Sequence, residues 1–379
     1  MSQLRNRYDA VIVGAGMAGA SLAAELAGDM SVLLVEMEER PGYHATGRSV
    51  AFWQESYGGP GVRPLTRASR SRLERPEPDF ADTGFLLPRG ALHIGRSGDE
   101  GHRAAMISTF GGALFTPLDG ARLGERVPGL RGEWTLGLEE PGTCDIDVAA
   151  LHTAYLRRFR KRGGDLLCRS RFEHARHTGE GWKVALSDAT IRSSLLVDAA
   201  GAWADRVAAS SGVAPIGIAP LLRTVVQLRV DPPVADSLPL ILDLGSQFYF
   251  KPVGGGRIWL TPHDEQLTEA GDVAPDAVDV ALAIDRLQSA VDWKVEAVER
   301  KWAGLRSFAP DRLPVYGRDP DQPDFFWFAG QGGFGIQTAP AAARLATSLI
   351  LCRDDPLLAG LDALHYAPQR LRQESGEGR

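Results

Sequence analysis

The stretch YDAVIVGAGMAGASLAAELAGDMSVLLVE, residues 8–36, decides the fold. Its opening YDAVIV is a short apolar, β-branched run that stops abruptly at Gly14, the pattern of a buried strand meeting a tight turn. Residues 17–27 then place Met17, Leu22 and Leu26 among alanines at near-helical spacing. Gly28 and Asp29 stop that helix, and SVLLVE at 31–36 supplies a second buried strand. A βαβ unit therefore closes within about 30 residues, as a dinucleotide fold requires. Between strand and helix, Gly14 permits the turn, Gly16 lets backbone approach a pyrophosphate, and Gly19 lets helix pack on strand. Amides at the helix N-terminus then face the phosphates. Glu36 ends the second strand 17 residues after Gly19, where an acid accepts hydrogen bonds from ribose hydroxyls. The glycine triplet alone is compatible with a mere glycine-rich turn; the acid at the strand end favours a dinucleotide site.

Working outward, 379 residues with 44% hydrophobic content suffice for two domains with large cores. The net charge of −6, with both signs interspersed, offers no basic stripe of the kind nucleic-acid binding requires. The densest basic run, RRFRKR at 157–162, falls late in an amphipathic helix beginning near Asp147. It is expected as a solvated face whose charge suits the negative end of the helix dipole. Cys144, Cys168 and Cys352 are scattered without a CxxC pair, so neither a metal site nor a disulfide framework is expected, and a reducing, cytoplasmic setting fits. No stretch is apolar for 18 residues and no signal-like segment follows the N-terminal charges, so no transmembrane segment is expected.

Downstream, ALHIG at 91–95, TVVQLRV at 224–230, QFYFKP at 247–252 and RIWLTP at 257–262 have the character of strands, several alternating apolar and polar residues as in an antiparallel sheet. Between them, 147–162 reads as helix, 165–168 as strand, 182–187 as a hairpin arm, and SLLVDAAGAWA at 194–204 as strand then glycine turn, a return to the nucleotide domain. The expected class is α/β: a discontinuous Rossmann-type domain over 1–80, 145–215 and 304–379, with an α+β substrate domain carrying an antiparallel sheet over 81–144 and 216–303. The tail after about residue 367, rich in Arg, Glu and Gly, is expected to be loosely ordered.

Two further stretches favour FAD over NAD. RPGYHATGRS at 40–49 follows the acidic strand end, and its Ala45, Thr46 and Ser49, with Arg48, suit a chain running beneath a pyrophosphate and flavin; the alternative is a polar surface loop. GQGGFGIQT at 330–338 sits between a buried strand and a helix that Thr338 could cap, with Pro340 tolerated in its first turn. The positive end of such a helix would stabilise the charge a flavin gains on accepting hydride.

VIVGAGMAGAS, RPGYHATGRS, VDAAGAWA at 197–204, WAGLRSFAPD at 302–311 and GQGGFGIQT occur in the order seen in the D-amino acid oxidase-like flavoproteins, the superfamily of glycine and sarcosine oxidases. The chain resembles that family over nearly its whole length, and within it is most similar to the bacterial D-arginine dehydrogenases. The resemblance implies noncovalent FAD, since no cysteine lies near WAGLRSF where some relatives tether flavin. It places FAD against Gly14, Ala15, Gly16, Met17, Ala18, Gly19, Glu36 and Met37, and against His44, Ala45, Thr46, Arg48 and Ser49. Phe172, Ala200, Gly201, Trp203, Gly304 and Arg306, and the turn of Gly332, Gly333, Phe334, Gly335, Ile336, Gln337 and Thr338, complete that set.

It also implies that Arg223, Tyr249 and Arg306 face an amino acid substrate. Physics supports this, because a guanidinium fork and a phenol bind a carboxylate with charge-assisted, geometrically fixed bonds. The bland alternatives are surface ion pairs for the arginines and a half-buried strand position for Tyr249. His44 is read as a partner of cofactor or substrate, or as structural, and Gln337 as a partner of substrate or flavin edge. Two positions depart from the D-arginine dehydrogenase pattern: Ala91 stands where an acid pairs with the basic substrate, and Trp53 where a tyrosine lid residue stands. The implied reaction is oxidation of a D-amino acid, or related secondary amino acid, to an imino then keto acid, with oxygen or a quinone as electron acceptor. A neutral substrate fits better than arginine. A 2-hydroxy acid dehydrogenase and a non-catalytic flavin-binding protein are the competing readings.

Overall fold

The β-branched run becomes the strand Arg7–Val13, whose last four residues are all buried. A computed structural model describes residues 4–372. Arg7–Val13 lies between Val32–Val35 and Thr190–Asp198, parallel to both. Asp165–Leu167 and Phe325–Ala329 extend this parallel core on either side. Alternate residues serve opposite faces: Ala10 and Ile12 enter one core with the helices Met17–Leu26, Val148–Lys161 and Ala339–Leu351. Val11 and Val13 enter another, with Leu33, Val35, Trp182 and Trp327. Both faces of the sheet are thus covered, which is why its strands are uniformly apolar.

Asp147 caps the helix Val148–Lys161 by accepting from the Ala150 amide at 2.9 Å. The basic run at its end is not simply a solvated face. Helical spacing turns Arg158 inward with Leu151 and Tyr155, leaving it 4% exposed. There it donates to Glu77 at 2.5 Å and Asp79 at 2.8 Å and lies over the Phe80 ring at 4.5 Å. Arg158→Met is expected to destabilise the fold by on the order of 2 kcal/mol, less than the ~3–5 kcal/mol of breaking a fully enclosed pair. The discount follows from the side chains of Glu77 and Asp79, which are 40% and 53% exposed. Burial raises the Glu77 pKa, but Arg158 and Arg72 hold it below its usual 4.5. A depressed carboxylate stabilises the fold above its unfolded pKa and ceases to as pH falls through the folded value. The difference between urea melts of wild type and variant should therefore be full at pH 7 and shrink as pH falls from 4.5 through the depressed Glu77 value.

The second sheet is built on two long antiparallel strands, Ala219–Asp231 and Lys294–Phe308, the latter running across position 304. Leu221 opposes Arg306 and Arg223 opposes Gly304, which puts both arginines on one face as diagonal neighbours. Arg257–Thr261, Tyr249–Pro252, Leu240–Asp243, Ala91–Arg96 and Trp134–Glu140 continue the sheet. Within it, Leu240–Asp243 and Ala91–Arg96 run parallel rather than antiparallel, because two segments distant in sequence meet there without a hairpin between them. Val225, Tyr249, Leu240 and Ala91 on one face of this sheet pack against Val50 and Phe52 of the N-terminal segment. The opposite face carries the helix Ala277–Ala290, through Ala283 and Leu287, and Trp293.

At the C-terminus, Pro368–Leu371 forms a 3₁₀ turn, with Arg370 bonded to Asp311 at 2.6 Å and Arg372 to Asp319 at 2.8 Å. The tail is therefore tied down as far as residue 372, contrary to the expectation from its composition, and 373–379 lie outside the described residues. Among the described residues no helix is long and apolar enough to cross a membrane.

Candidate active site

A cavity of about 630 Å³ is lined by the first sheet's strand ends and the facing surface of the second sheet. Gly14, Gly16, Met17, Ala18, Glu36 and Met37 line it where the first two parallel strands end, the usual ligand position in an open α/β sheet. Ala200, Gly201 and Trp203, from the turn after Thr190–Asp198, and Phe172 extend that wall. His44, Ala45, Thr46, Arg48 and Ser49 run along it. Arg223, Tyr249, Gly304 and Arg306 come from the second sheet, and Gly332, Gly333, Gly335 and Ile336 from the turn before the last long helix.

Local chemistry fixes these elements. Gly14 holds φ at +98°, and a Cβ there would sit 2.6 Å from the Ala199 carbonyl oxygen. Thr46 accepts from the Met17 amide at 2.9 Å, joining the 40–49 segment to the first helix. The Glu36 carboxylate accepts from the Ala15 amide at 2.9 Å and the Glu38 amide at 3.0 Å. His44 pairs through Nε2 with Glu38 at 2.9 Å, its ring 4.7 Å from that of Trp203. Arg48 crosses to the second sheet, donating to the carbonyls of Ala303 at 3.0 Å and Val273 at 3.2 Å and pairing with Asp272.

At the other end, Arg306 donates to the hydroxyls of Tyr57 at 2.8 Å and Tyr249 at 3.0 Å. Arg223 is 3% exposed, and its Nη2 donates to Glu265 at 3.2 Å. Burial, then the neighbouring charge of Arg306, push its pKa down to about 10, so it remains a cation at neutral pH. His263, whose ring lies 5.7 Å from that of Tyr249, is pushed down to about 4 by burial first and Arg223 second, and is neutral.

Several expected site residues do not line this cavity. Trp53 is not a lid: it is 1% exposed, donates through Nε1 to the Thr66 carbonyl at 3.0 Å, and belongs to the main helical core. Strand alternation explains this, since Phe52 faces the site-side cluster and Trp53 must face away. The Gln337 amide is fully engaged by protein, accepting from Gln54 N at 3.1 Å and donating to the Tyr57 carbonyl at 3.2 Å and to Thr66 Oγ1 at 2.9 Å. Thr338 does not cap its helix; its hydroxyl donates to the Phe334 carbonyl at 2.8 Å, while Ser69 receives the Ala341 amide at 3.1 Å. Phe334 packs into a cluster with Val62 and Phe308, and Ala15 and Gly19 lie behind the cavity wall.

Tyr57 was not singled out in the sequence, where an aromatic before Gly58-Gly59 is only a weak signal. Its segment is held from two sides. Gln337 grips it from the glycine turn, and fully buried Glu140 accepts from Ser56 Oγ at 2.6 Å and Gln54 Nε2 at 2.9 Å. Gln337→Ala should take away the partners of the Gln54 amide and the Tyr57 carbonyl, destabilising the fold by about 1–3 kcal/mol, while the Thr66 hydroxyl keeps its bond to the Val62 carbonyl. It should also raise KM through the loosened Tyr57; a urea midpoint and KM both equal to wild type would refute this positioning role.

Residues 9–349 match the family model DAO: FAD dependent oxidoreductase. The chain belongs to this FAD dependent oxidoreductase family. Among the family's curated members, glycine oxidase of Geobacillus kaustophilus is 25% identical over 365 residues, covering 92% of this chain and 94% of that protein. Its crystal structure superposes with a TM-score of 0.83 at 21% identity, over 97% of this chain and 99% of the other. Human mitochondrial dimethylglycine dehydrogenase is 24% identical over 96% of this chain, which spans 45% of that longer protein. The fold is shared with L-proline dehydrogenase from P. horikoshii, TM-score 0.82 at 21% identity, over 99% of this chain and 100% of the other.

The cavity wall fits the family's FAD. The first helix begins at Met17 with no acidic residue in its first turn, so its positive end is unopposed where a pyrophosphate would lie. Gly14 and Gly16 keep that approach free of side chains, and Glu36 retains lone pairs for ribose hydroxyls.

Proposed function

We propose that the chain oxidises the carbon–nitrogen bond of an amino acid, a D-amino acid or a related secondary amino acid, beside its carboxylate. The observation carrying this is the Arg306 guanidinium, set between the hydroxyls of Tyr57 and Tyr249 on the wall of the cavity that bears the FAD-fitting residues. A planar fork flanked by two phenols matches one carboxylate in geometry and charge. The similarity to a glycine oxidase, a dimethylglycine dehydrogenase and a proline dehydrogenase supports an amine substrate with an adjacent carboxylate.

Bound on this wall, FAD would supply the two-electron acceptor for the substrate's carbon–nitrogen bond, and water would hydrolyse the resulting imine to a keto acid and ammonia or amine. Arg306, Tyr57 and Tyr249 hold the carboxylate and so orient the carbon–nitrogen bond. Among the described residues, the acids around Ala91 are engaged within the protein and leave no partner there for a cationic substrate head. Ala91 is fully buried, its cross-strand neighbour Glu140 is bonded to Ser56 and Gln54, and Asp145 is bonded to Lys251 at 2.7 Å and Arg89 at 2.8 Å. Neutral amino acids should therefore outperform arginine and lysine.

The test is an anaerobic titration of the yellow protein with D-amino acids, L-amino acids, N-methyl amino acids and 2-hydroxy acids, following flavin absorbance. Bleaching by amines, with D-arginine poor, supports the reading. Bleaching by hydroxy acids alone overturns it.

A further inference from the structure

Arg223 carries an inference that rests on the amino acid reading above and extends it. On that reading, Arg306, Tyr57 and Tyr249 together seat one carboxylate. Each phenol accepts from Arg306, so its own O–H is free to donate. With the remaining guanidinium N–H groups, these meet the roughly four acceptor sites of an ionised carboxylate. Arg223 is left over, yet it lines the same cavity, on the same sheet face, one register step from Arg306.

Its own needs are not met within the protein. Nε and Nη1 have no hydrogen-bond partner although the side chain is enclosed. The two nearest acids are engaged elsewhere. Asp264 directs both oxygens to the Thr224 amide at 2.9 Å and stands 3.8 Å from Arg223 Nε. Glu265 gives both oxygens to Arg312, at 2.8 and 2.9 Å, and only a 3.2 Å contact to Arg223 Nη2. A buried guanidinium with unmet donors is costly, and an anionic ligand group would relieve it.

We infer that Arg223 is the seat of a second acidic group, so that the preferred substrate is a dicarboxylate: a dicarboxylic amino acid, or a secondary amine bearing a carboxylate on each arm. Diagonal neighbours on a sheet stand roughly 7–8 Å apart at their origins. Side chains converging from that distance suit two carboxylates separated by an amine and one or two carbons. The selectivity belongs to Arg223, while Arg306 and its phenols hold the carboxylate next to the oxidised carbon.

The holoenzyme tests this in two ways. Non-oxidisable acids are titrated against the flavin spectrum: glutarate is expected to bind at least 30-fold more tightly than butyrate, a readout independent of amine oxidation. In anaerobic stopped flow, aspartate, glutamate and iminodiacetate are compared with alanine and N-methylglycine, in wild type and R223M. The variant should lower the ratio of diacid to monoacid reduction rate constants at least 30-fold. Equal binding of glutarate and butyrate, or an R223M defect equal for both substrate classes, overturns the second seat and makes Arg223 part of a single-carboxylate clamp. Tight glutarate binding without flavin reduction by any amine would retain the seat and refute the amine reading instead.

Discussion

Replacing Arg306 with methionine is expected to lower kcat/KM for the amino acid substrate by about 10²- to 10³-fold. Truncating one member of a desolvated, hydrogen-bonded charge pair costs ~2–5 kcal/mol, and each ~1.4 kcal/mol is tenfold. Arg306 is the group on which both Tyr57 and Tyr249 converge, so its loss removes the charge and disperses the two phenols together. Because the same contacts orient the bond to be oxidised, kcat should fall as well as KM rise. Arg306→Lys should recover only part of the loss, since an ammonium cannot reach both hydroxyls in one plane. Tyr57→Phe should cost about tenfold, the worth of one hydrogen bond to a charged group. An Arg306→Met enzyme with wild-type kcat/KM would show that the carboxylate sits elsewhere, and the proposed function would lose its main support.

The second large effect is expected at Gly19. A Cβ there would lie 1.9 Å from the Gly14 carbonyl oxygen, so Gly19→Ala must push the first helix off the first strand. Overpacking of this kind costs roughly 1–3 kcal/mol, and here it also displaces the helix end that faces the pyrophosphate. The variant should purify colourless, with a lowered Tm. Gly16→Ala is the informative contrast. Its Cβ would stand 3.3 Å from the Thr46 hydroxyl, a side chain able to yield, so the apoprotein should melt near wild type while FAD affinity falls. Gly19→Ala protein that retains full flavin absorbance would contradict the packing role assigned to this glycine.

Much of the fold was legible because it rests on local patterns. Gly14, Gly16 and Gly19 lie between a β-branched run and an alanine-rich helix, and Asp147 stands where a helix cap is needed; each is a backbone requirement written in adjacent residues. The substrate end was legible only in part. Arg223, Tyr249 and Arg306 were named from resemblance, and the structure brings all three to one cavity. Tyr57 escaped notice because its partner, Arg306, lies 249 positions away and no local pattern marks the pair. Trp53 was misplaced for the converse reason: it adjoins the site in sequence, but alternation turns it into the core, whereas Gln337 stands beside Tyr57 and Arg306 with its amide bonded to Gln54, Tyr57 and Thr66.

By itself, then, the amino-acid order determined the βαβ unit, the dinucleotide turn, the succession of strands and helices, and the family. Those features depend on periodicity and on glycines whose neighbours along the chain define their task. Only the tertiary structure decided which polar side chains are satisfied by protein and which are left for a ligand. Arg158 and Arg223 are both arginines with burial near complete, yet Arg158 donates to Glu77 and Asp79 and leaves Nε unpaired, whereas Arg223 donates to Glu265 and leaves both Nε and Nη1 unpaired beside the cavity. That difference arises from long-range packing, because whether a buried charge finds its partner depends on which distant strands and loops converge on it.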